Sequence, residues 1–585
     1  MVSKKDKIRF WIIFLIVDSI SIFSHYTIQL SAILANEDAY KAFAAAILSP
    51  IVTLDEQQRV KRSYRAMQVL TEDLALSPES TRLMNATRAG LLAKDIFAAL
   101  HTGAVYLLHA RKLLDSLLQS YPSSVVAAVC AGGTNGMEAH LRPLLLAETS
   151  SQTLPTLTHL VIYGCTGKMG QPSAEKTQQS AYNLRMTPST ISNGHRRKFI
   201  RNLADWGFLS RIVECIHDDF ATVGEELCET VLTIVECLGI PERDAMNGTK
   251  QIDESVGEEI LLASLGKVEW WDPLFAKLHN SNETTKVAAA RLMMGIFTLA
   301  TGTSSRIRMI DAPITDATET LDPLQPKDAG TATHHHKNKL LEWGLTAQIH
   351  SCLISHIPQI CQAIMTQDTV TQLATTTYWN RGEVQEGCSG VLHPGRCCIV
   401  PFSTWRLHIV TLLAEIVSYH NDAPGLTSAE TPHSLRRSAM SAIMDLPLPT
   451  KDPSDSEGQM ADNRVNPWPS LCDWVFDYPE NNLYHVQFIR LIRAITIELH
   501  EPTLRLVLQK VKFVSRGVRT CQEGGPLRGV LIECFNLLRL RSQSLPPSAF
   551  LKQFLQSHDG WKGFQDLLVE YVHVTILLSY CMMYL

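Results

Sequence analysis

The sequence predicts an all-α protein, an armadillo- or HEAT-like solenoid of helical pairs with loop insertions. Three observations carry that prediction. The segment Trp206 to His217 leads through a polar turn into Leu227 to Gly239, and Trp271 to His279 leads through Asn280-Ser-Asn-Glu283 into Val287 to Gly302. In each copy a tryptophan opens a short apolar helix, a histidine closes it, and a second helix runs to a glycine stop. Such a pair cannot bury its apolar face alone, so it must stack on neighbours. Apolar residues also recur at spacings of three and four from about residue 55 onward, while clean alternating strand patterns are hard to find. Finally, breakers fall where the stripes run out, at Gly239-Ile-Pro241, His500-Glu-Pro502 and Ser544-Leu-Pro-Pro547.

Taken in chain order, residues 1–50 form a divergent amino-terminal segment. Lys4, Lys5, Lys7 and Arg9 precede the apolar run Phe10 to Val17, which is the order of a signal peptide or signal anchor. Asp18 interrupts the run, and Ser19, Ser21, Ser24, His25 and Gln29 dilute the stretch beyond it, so the span of about 20 apolar residues that a bilayer needs is missing. A packed or interfacial helix is the leading reading of residues 10–17, with an unreliable start and a membrane or secretory segment as alternatives. Residues 55–570 carry the helical repeats. Phe199, Leu203, Trp206, Leu209, Ile212, Val213 and Ile216 make one stripe, and Leu227, Val231, Ile234, Val235 and Leu238 make the next. Further stripes are Ile409, Leu412, Leu413, Ile416 and Val417, then Phe488, Leu491, Ile492, Ile495 and Leu499. Four inserts interrupt the repeats, at 164–194, 302–333, 366–402 and 446–467. The last, with Pro447-Leu-Pro-Thr-Lys-Asp-Pro-Ser-Asp-Ser-Glu457, reads as a solvated acidic linker. Residues 571–585 are an apolar tail, too short to cross a bilayer, and Cys581 does not fit a prenylation box.

Composition narrows the function classes. A chain with 45% hydrophobic and 19% charged residues is not of the disordered class, and a formal net charge of -5 gives no footprint for nucleic acid. The basic cluster His195-Arg-Arg-Lys198 is short and reads as the decoration of a helix start. The 14 cysteines are scattered, and Cys215, Cys228, Cys237 and Cys534 sit among aliphatics where a thiol acts as a small apolar group. That usage predicts a reduced, cytoplasmic setting. The glycosylation-type triplets at Asn85, Asn247 and Asn282 matter only in a secreted protein.

No catalytic, cofactor-binding or metal-binding residue emerges as an assignment. The sharpest temptation is Leu157 to Tyr163 running into Gly164-Cys-Thr-Gly167-Lys168-Met169-Gly170, the way a dinucleotide fold presents amides to a pyrophosphate. The chain beyond Gly170 lacks a crossover-helix stripe and an acidic ribose ligand, so the segment reads as a surface loop. His334-His-His336 and the group Cys388, His393, Cys397 and Cys398 hold the candidate metal donors, yet their spacing fits no familiar zinc pattern. His217 and His279 read as helix-end caps, and Trp206, Trp270 and Trp271 as packing between pairs.

Several of these segments together resemble the SAPS proteins, regulatory subunits of the phosphatase-six type of Ser/Thr phosphatase. The likeness lies in order and spacing. Tyr64 to Asp73 and Lys112 to Pro122 resemble early helices of the family, and Phe199 to His217 is similar to its tryptophan-containing helix with a closing histidine. Glu225 to Val235, Leu274 to Leu299, Leu392-His-Pro-Gly395 leading into Arg406-Leu-His-Ile-Val410, and Asn482-Leu-Tyr-His-Val486 come after these in the family's order. The resemblance spans about residues 60–570, while the first 50 residues depart from it and the inserts at 164–194 and 366–402 are longer. It implies a non-catalytic scaffold without cofactor that binds a phosphatase catalytic subunit, together with an ankyrin-repeat subunit, in the cytoplasm or nucleus. A generic armadillo-like interaction protein and a membrane-anchored protein are the rival expectations.

Overall fold

An apolar stripe on one helix is stable only when a neighbour's stripe covers it, and this chain meets that demand by laying helices in rows. The computed structural model describes residues 56–76, 84–102, 107–146, 150–167, 191–217, 221–239, 257–302, 339–365, 391–393, 396–398, 402–419, 432–448, 465–566 and 568–569. Its first helices are α1 (Glu56–Leu76), α2 (Ala86–Thr102), α3 (Leu107–Ser120), α4 (Pro122–Val129), α5 (Gly133–Leu146), α6 (Ser150–Thr166), α7 (Asn193–Trp206), α8 (Phe208–Cys215), α9 (Ala221–Gly239) and α10 (Glu258–Leu262). They are followed by α11 (Val268–Asn280), α12 (Glu283–Thr301), α13 (Lys339–Glu342), α14 (Leu345–Ser355) and α15 (Ile357–Met365). After a short hairpin of β1 (Val391–His393) and β2 (Arg396–Cys398) come α16 (Thr404–Ser418), α17 (Pro432–Met444), α18 (Trp468–Asp477), α19 (Asn482–Glu498), α20 (Glu501–Arg505), α21 (Phe513–Glu523), α22 (Arg528–Gln543) and α23 (Phe550–Ser557). The all-α class expected from the sequence holds for the described residues, apart from that hairpin.

The chain divides into two units, Met1–Gly266 with Ile314–Leu345, and Lys267–Pro313 with Thr346–Leu585. In the first, α1, α3, α6 and α9 pack successively in one row, and α2, α5, α7 and α10 form a second. In the second, one row is α12, α16, α19 and α22, and the other is α11, α15, α17, α20 and α23. Partners join the rows: α5 packs on α6, α6 on α7, α11 on α12, and α16 on α17. The second unit has an aromatic spine through its core. Phe402 meets Tyr484 at 5.1 Å, Phe488 meets Phe513 at 5.3 Å, Phe513 meets Phe535 at 5.7 Å, and Phe535 meets Phe564 at 5.5 Å. These tilted and edge-to-face contacts suit the aromatic quadrupole and bury large area with few rotatable bonds.

The two segments read as copies of one helical pair both form helices, but not in the same way. Trp206 closes α7 instead of opening a helix, because Gly207 adopts φ +73° there and splits α7 from α8. The second tryptophan pair lies inside the first turns of α11, where Trp270 and Trp271 meet edge to face at 5.0 Å. α9 and α12 start earlier than expected and stop where the glycines predict, Gly302 having φ +70°. The supposed glycine turn after Tyr163 is also overturned, since Leu157 to Thr166 belongs to α6. Gly164 is in helix because α7 lies against it: a Cβ there would stand 2.4 Å from the Phe199 ring. The helix ends at Gly167, with φ +70°. The insert therefore begins later than residue 164, and the insert at 366–402 contains the β1–β2 hairpin, in which Leu392 pairs with Cys397. Residues 1–50, His334–His336, Cys388, Asn247 and the tail 571–585 lie outside the described residues.

Candidate interaction surface

The most elaborate polar chemistry in the described residues is buried, and it recurs. In the first unit Arg196, in the first turn of α7, donates from Nε to the Cys165 carbonyl at 2.8 Å and from Nη2 to Glu258 Oε1 at 3.0 Å. In the second, Arg436 of α17 donates from Nε to the Tyr419 carbonyl at 2.6 Å and from Nη1 to Glu498 Oε1 at 2.6 Å. Both arginines sit near the start of a helix, and both satisfy a carbonyl at the end of the helix before it, where intrahelical donors run out. In each case the glutamate follows its arginine by 62 residues. All four side chains are buried. A guanidinium fork suits this double duty, since one edge can cap while the other pairs. A third buried acid, Glu415 of α16, pairs with Arg490 of α19 at 2.8 Å. Arg196 corrects the reading of the 195–198 cluster as mere decoration of a helix start.

Among the described residues, the buried histidines and cysteines serve packing. Burial pushes the Cys130 thiol up to about 11 and the Cys165, Cys361, Cys472 and Cys534 thiols higher still, so none is a ready thiolate. His350 lies between Phe297 and Tyr419 and holds the Ile416 carbonyl at 3.1 Å; that contact makes Nε2 the protonated nitrogen. Burial, with Arg436 nearby, lowers its pKa. His356 stacks on Phe275 and bridges to Asp272 at 3.0 Å. His279 does occupy the last turn of α11, but its Nε2 is buried with no partner among the described residues, so that nitrogen caps no carbonyl. His217 lies beyond the end of α8, whose cap is Ile216. Trp206, Trp270 and Trp271 are buried, as packing requires. Two glycosylation-type asparagines act as helix caps. Asn85 accepts from the Arg88 amide at 2.9 Å and Asn282 from the Thr285 amide at 2.9 Å, closing the starts of α2 and α12.

Sequence reasoning missed three surface features. Ser515 and His558, 43 residues apart, meet at 2.9 Å, the first link of a nucleophile and base. The next link fails: His558 Nδ1 has no partner among the described residues, whereas an activating imidazole needs an orienting acceptor there. A groove of ≈ 280 Å³ between α1 and α3 is lined by Tyr64, Met67, Thr71, Lys112 and Asp115 among others. No group of three or more His, Cys, Asp or Glu converges for a metal among the described residues. More telling is the outward stripe of α19, where Leu483, Val486, Arg490, Arg493 and Ile497 share one side while Tyr484, Phe488, Leu491, Ile492 and Ile495 are buried on the other. Its spacing of three and four was legible, but the buried stripe on the same helix dominated the pattern.

Among the described residues these features define a predominantly α-helical protein whose buried polar groups tie helices together. Set against known proteins, the chain matches no family profile and no curated protein. Among the described residues, no helix is long and apolar enough to cross a membrane.

Proposed function

We propose that this chain is a non-catalytic scaffold, an armadillo- or HEAT-like solenoid that holds a Ser/Thr phosphatase catalytic subunit of the phosphatase-six type and directs it to substrates. The observation that carries the scaffold part is the double row of helices in each unit, the kind of arrangement on which helical scaffolds are built. The phosphatase part rests on the order and spacing of the segments between residues 60 and 570 that resemble SAPS proteins. Dephosphorylation would be performed by the bound subunit, with an ankyrin-repeat subunit as the further partner and the cytoplasm as the working compartment.

The test is gentle affinity purification of the intact chain from cell lysate, with partners identified by mass spectrometry. Recovery of a phosphatase catalytic subunit in near-stoichiometric yield is the expected result. Recovery of other partners without any phosphatase would replace this reading with a generic armadillo-like scaffold. Carbonate extraction of membranes addresses residues 10–17, and the cytoplasmic placement expects full release into the soluble phase.

A further inference from the structure

Asparagine followed by glycine is a chemically reactive pair. The glycine amide nitrogen can attack the asparagine Cγ carbon, and glycine favours the attack because it carries no Cβ to hinder it and its backbone turns freely. The described residues contain two such pairs, Asn135-Gly136 in α5 and Asn193-Gly194 at the start of α7, and both asparagines are exposed. Exposure therefore does not separate them. The surroundings of the attacking nitrogen and of the attacked carbon do.

In α5 the nitrogen is occupied. Gly136 donates its amide to the Gly132 carbonyl at 3.3 Å, and a Cβ on Gly136 would stand 1.8 Å from the Ala131 carbonyl oxygen, so the backbone is closed in around it. In α7 the first backbone bond runs from the Arg196 amide to the Ser192 carbonyl at 3.0 Å, and Ser192 Oγ accepts from the His195 amide. Those two bonds leave the Gly194 amide among the orphan donors of the helix start, with no acceptor among the described residues. A Cβ on Gly194 would meet nothing within 4 Å, so the backbone there has room to turn. The carbon is prepared as well, because Arg196 Nη1 donates to Asn193 Oδ1 at 3.3 Å. A cation on that oxygen draws electron density from Cγ and stabilises the negative charge that builds on the oxygen during attack. Arg196 is held at this post by its bonds to the Cys165 carbonyl and to Glu258.

We propose that Asn193 is a site of spontaneous deamidation, with water as the co-reactant. The Gly194 nitrogen bonds to Asn193 Cγ and gives its proton to solvent, the bond from Cγ to the side-chain nitrogen breaks, and ammonia leaves, closing a succinimide ring. Water then opens the ring at one of its carbonyls. Opening at Cγ yields aspartate, and opening at the backbone carbonyl yields isoaspartate, in which the chain runs through the former side chain. The two products act on the Arg196 clamp in opposite directions. Aspartate puts a second carboxylate beside Arg196, at the helix end where negative charge is favoured. Isoaspartate adds a methylene to the backbone between residues 193 and 194 and disrupts the first turn of α7. The proposal is independent of which phosphatase, or whether any, binds the chain.

The experiment holds the intact protein in mildly alkaline buffer and follows both pairs by peptide mapping with mass spectrometry, separating aspartate from isoaspartate by chromatography. Asn193 should convert faster than Asn135 by about fivefold or more, the factor by which one net hydrogen bond slows a reaction that must break it. In the denatured chain the two pairs should react at similar rates, since both glycine amides are then free. Gly194→Ala sets a methyl in open space, so its melting temperature should match the wild type's, and it should slow conversion at 193 while leaving 135 unchanged. Conversion of Asn135 as fast as Asn193 in the native protein, no conversion at 193, or a rate at 193 that Gly194→Ala leaves unaltered overturns the proposal. A contrast that persists in the denatured chain overturns it too, by assigning the difference to local sequence in place of the fold.

Discussion

At the scale of single residues, the two buried arginines decide most. An ion pair removed from water gains little over a well-packed apolar pair, yet deleting one partner leaves a bare buried charge. Arg436→Met or Glu498→Leu alone should therefore cost about 3–5 kcal/mol in denaturant unfolding, while the double substitution should recover most of that loss. Equal costs for single and double variants would show that the clamp acts by packing and not by charge. His350 gives a pH signature of defined sign. Burial lowers its pKa from 6.5, so the unfolded chain binds more protons than the folded one as pH falls through that value. Its contribution to stability is complete above about pH 6.5 and is lost on acidification toward its folded pKa. His350→Gln can still donate to the Ile416 carbonyl but does not titrate, so its melting temperature should decline less than the wild type's between about pH 7 and pH 5. A steeper decline in the variant would contradict the assignment.

At the scale of elements, helix identity was legible and helix boundaries were only partly so. The stripes around Phe199, Leu227, Ile409 and Phe488 became buried faces apart from Leu499, a half-buried cap beyond the end of α19, because period 3.6 is written directly in residue spacing. The segment Tyr163 to Gly167 misled because two glycines and a polar pair look like a turn. Gly164 is there for helix contact, a reason that lies in Phe199, far along the chain. The same distance problem hid Arg196 with Glu258, and Arg436 with Glu498, since nothing local marks a partner 62 residues on. Close helix contact makes its own prediction. Gly164→Ala gains up to about 1 kcal/mol of helix propensity but forces a methyl into the Phe199 ring, and overpacking of this kind costs about 1–3 kcal/mol. The substitution should lower the denaturation midpoint, and adding Phe199→Leu should restore part of it. An unchanged midpoint would mean that α6 and α7 separate freely.

At the scale of the whole molecule, the solenoid reading makes a claim about dimensions. A single compact body of this length would have a radius of gyration of about 25 Å, whereas an open stack of helical pairs must exceed it clearly. Small-angle scattering of the monomer tests this, and a value near the compact figure would remove the solenoid while leaving the all-α class in place. The candidate surface was less legible in the sequence than the fold. Leu483, Val486 and Ile497 look like any other apolar residues of a helical repeat until their neighbours on α19 are seen to fill the buried face.

The arginine clamps also bear on how this chain can change length. Arg196 fastens the beginning of α7 to the end of α6, and Arg436 does the same for α17 and α16, so each long connection leaves and returns at a fixed pair of points. With both ends pinned, doubling the intervening chain costs only about 0.6 kcal/mol of closure entropy. Insertions at these two places can therefore accumulate with little effect on the rows of helices, giving the protein room to acquire new recognition segments at sites its core barely registers.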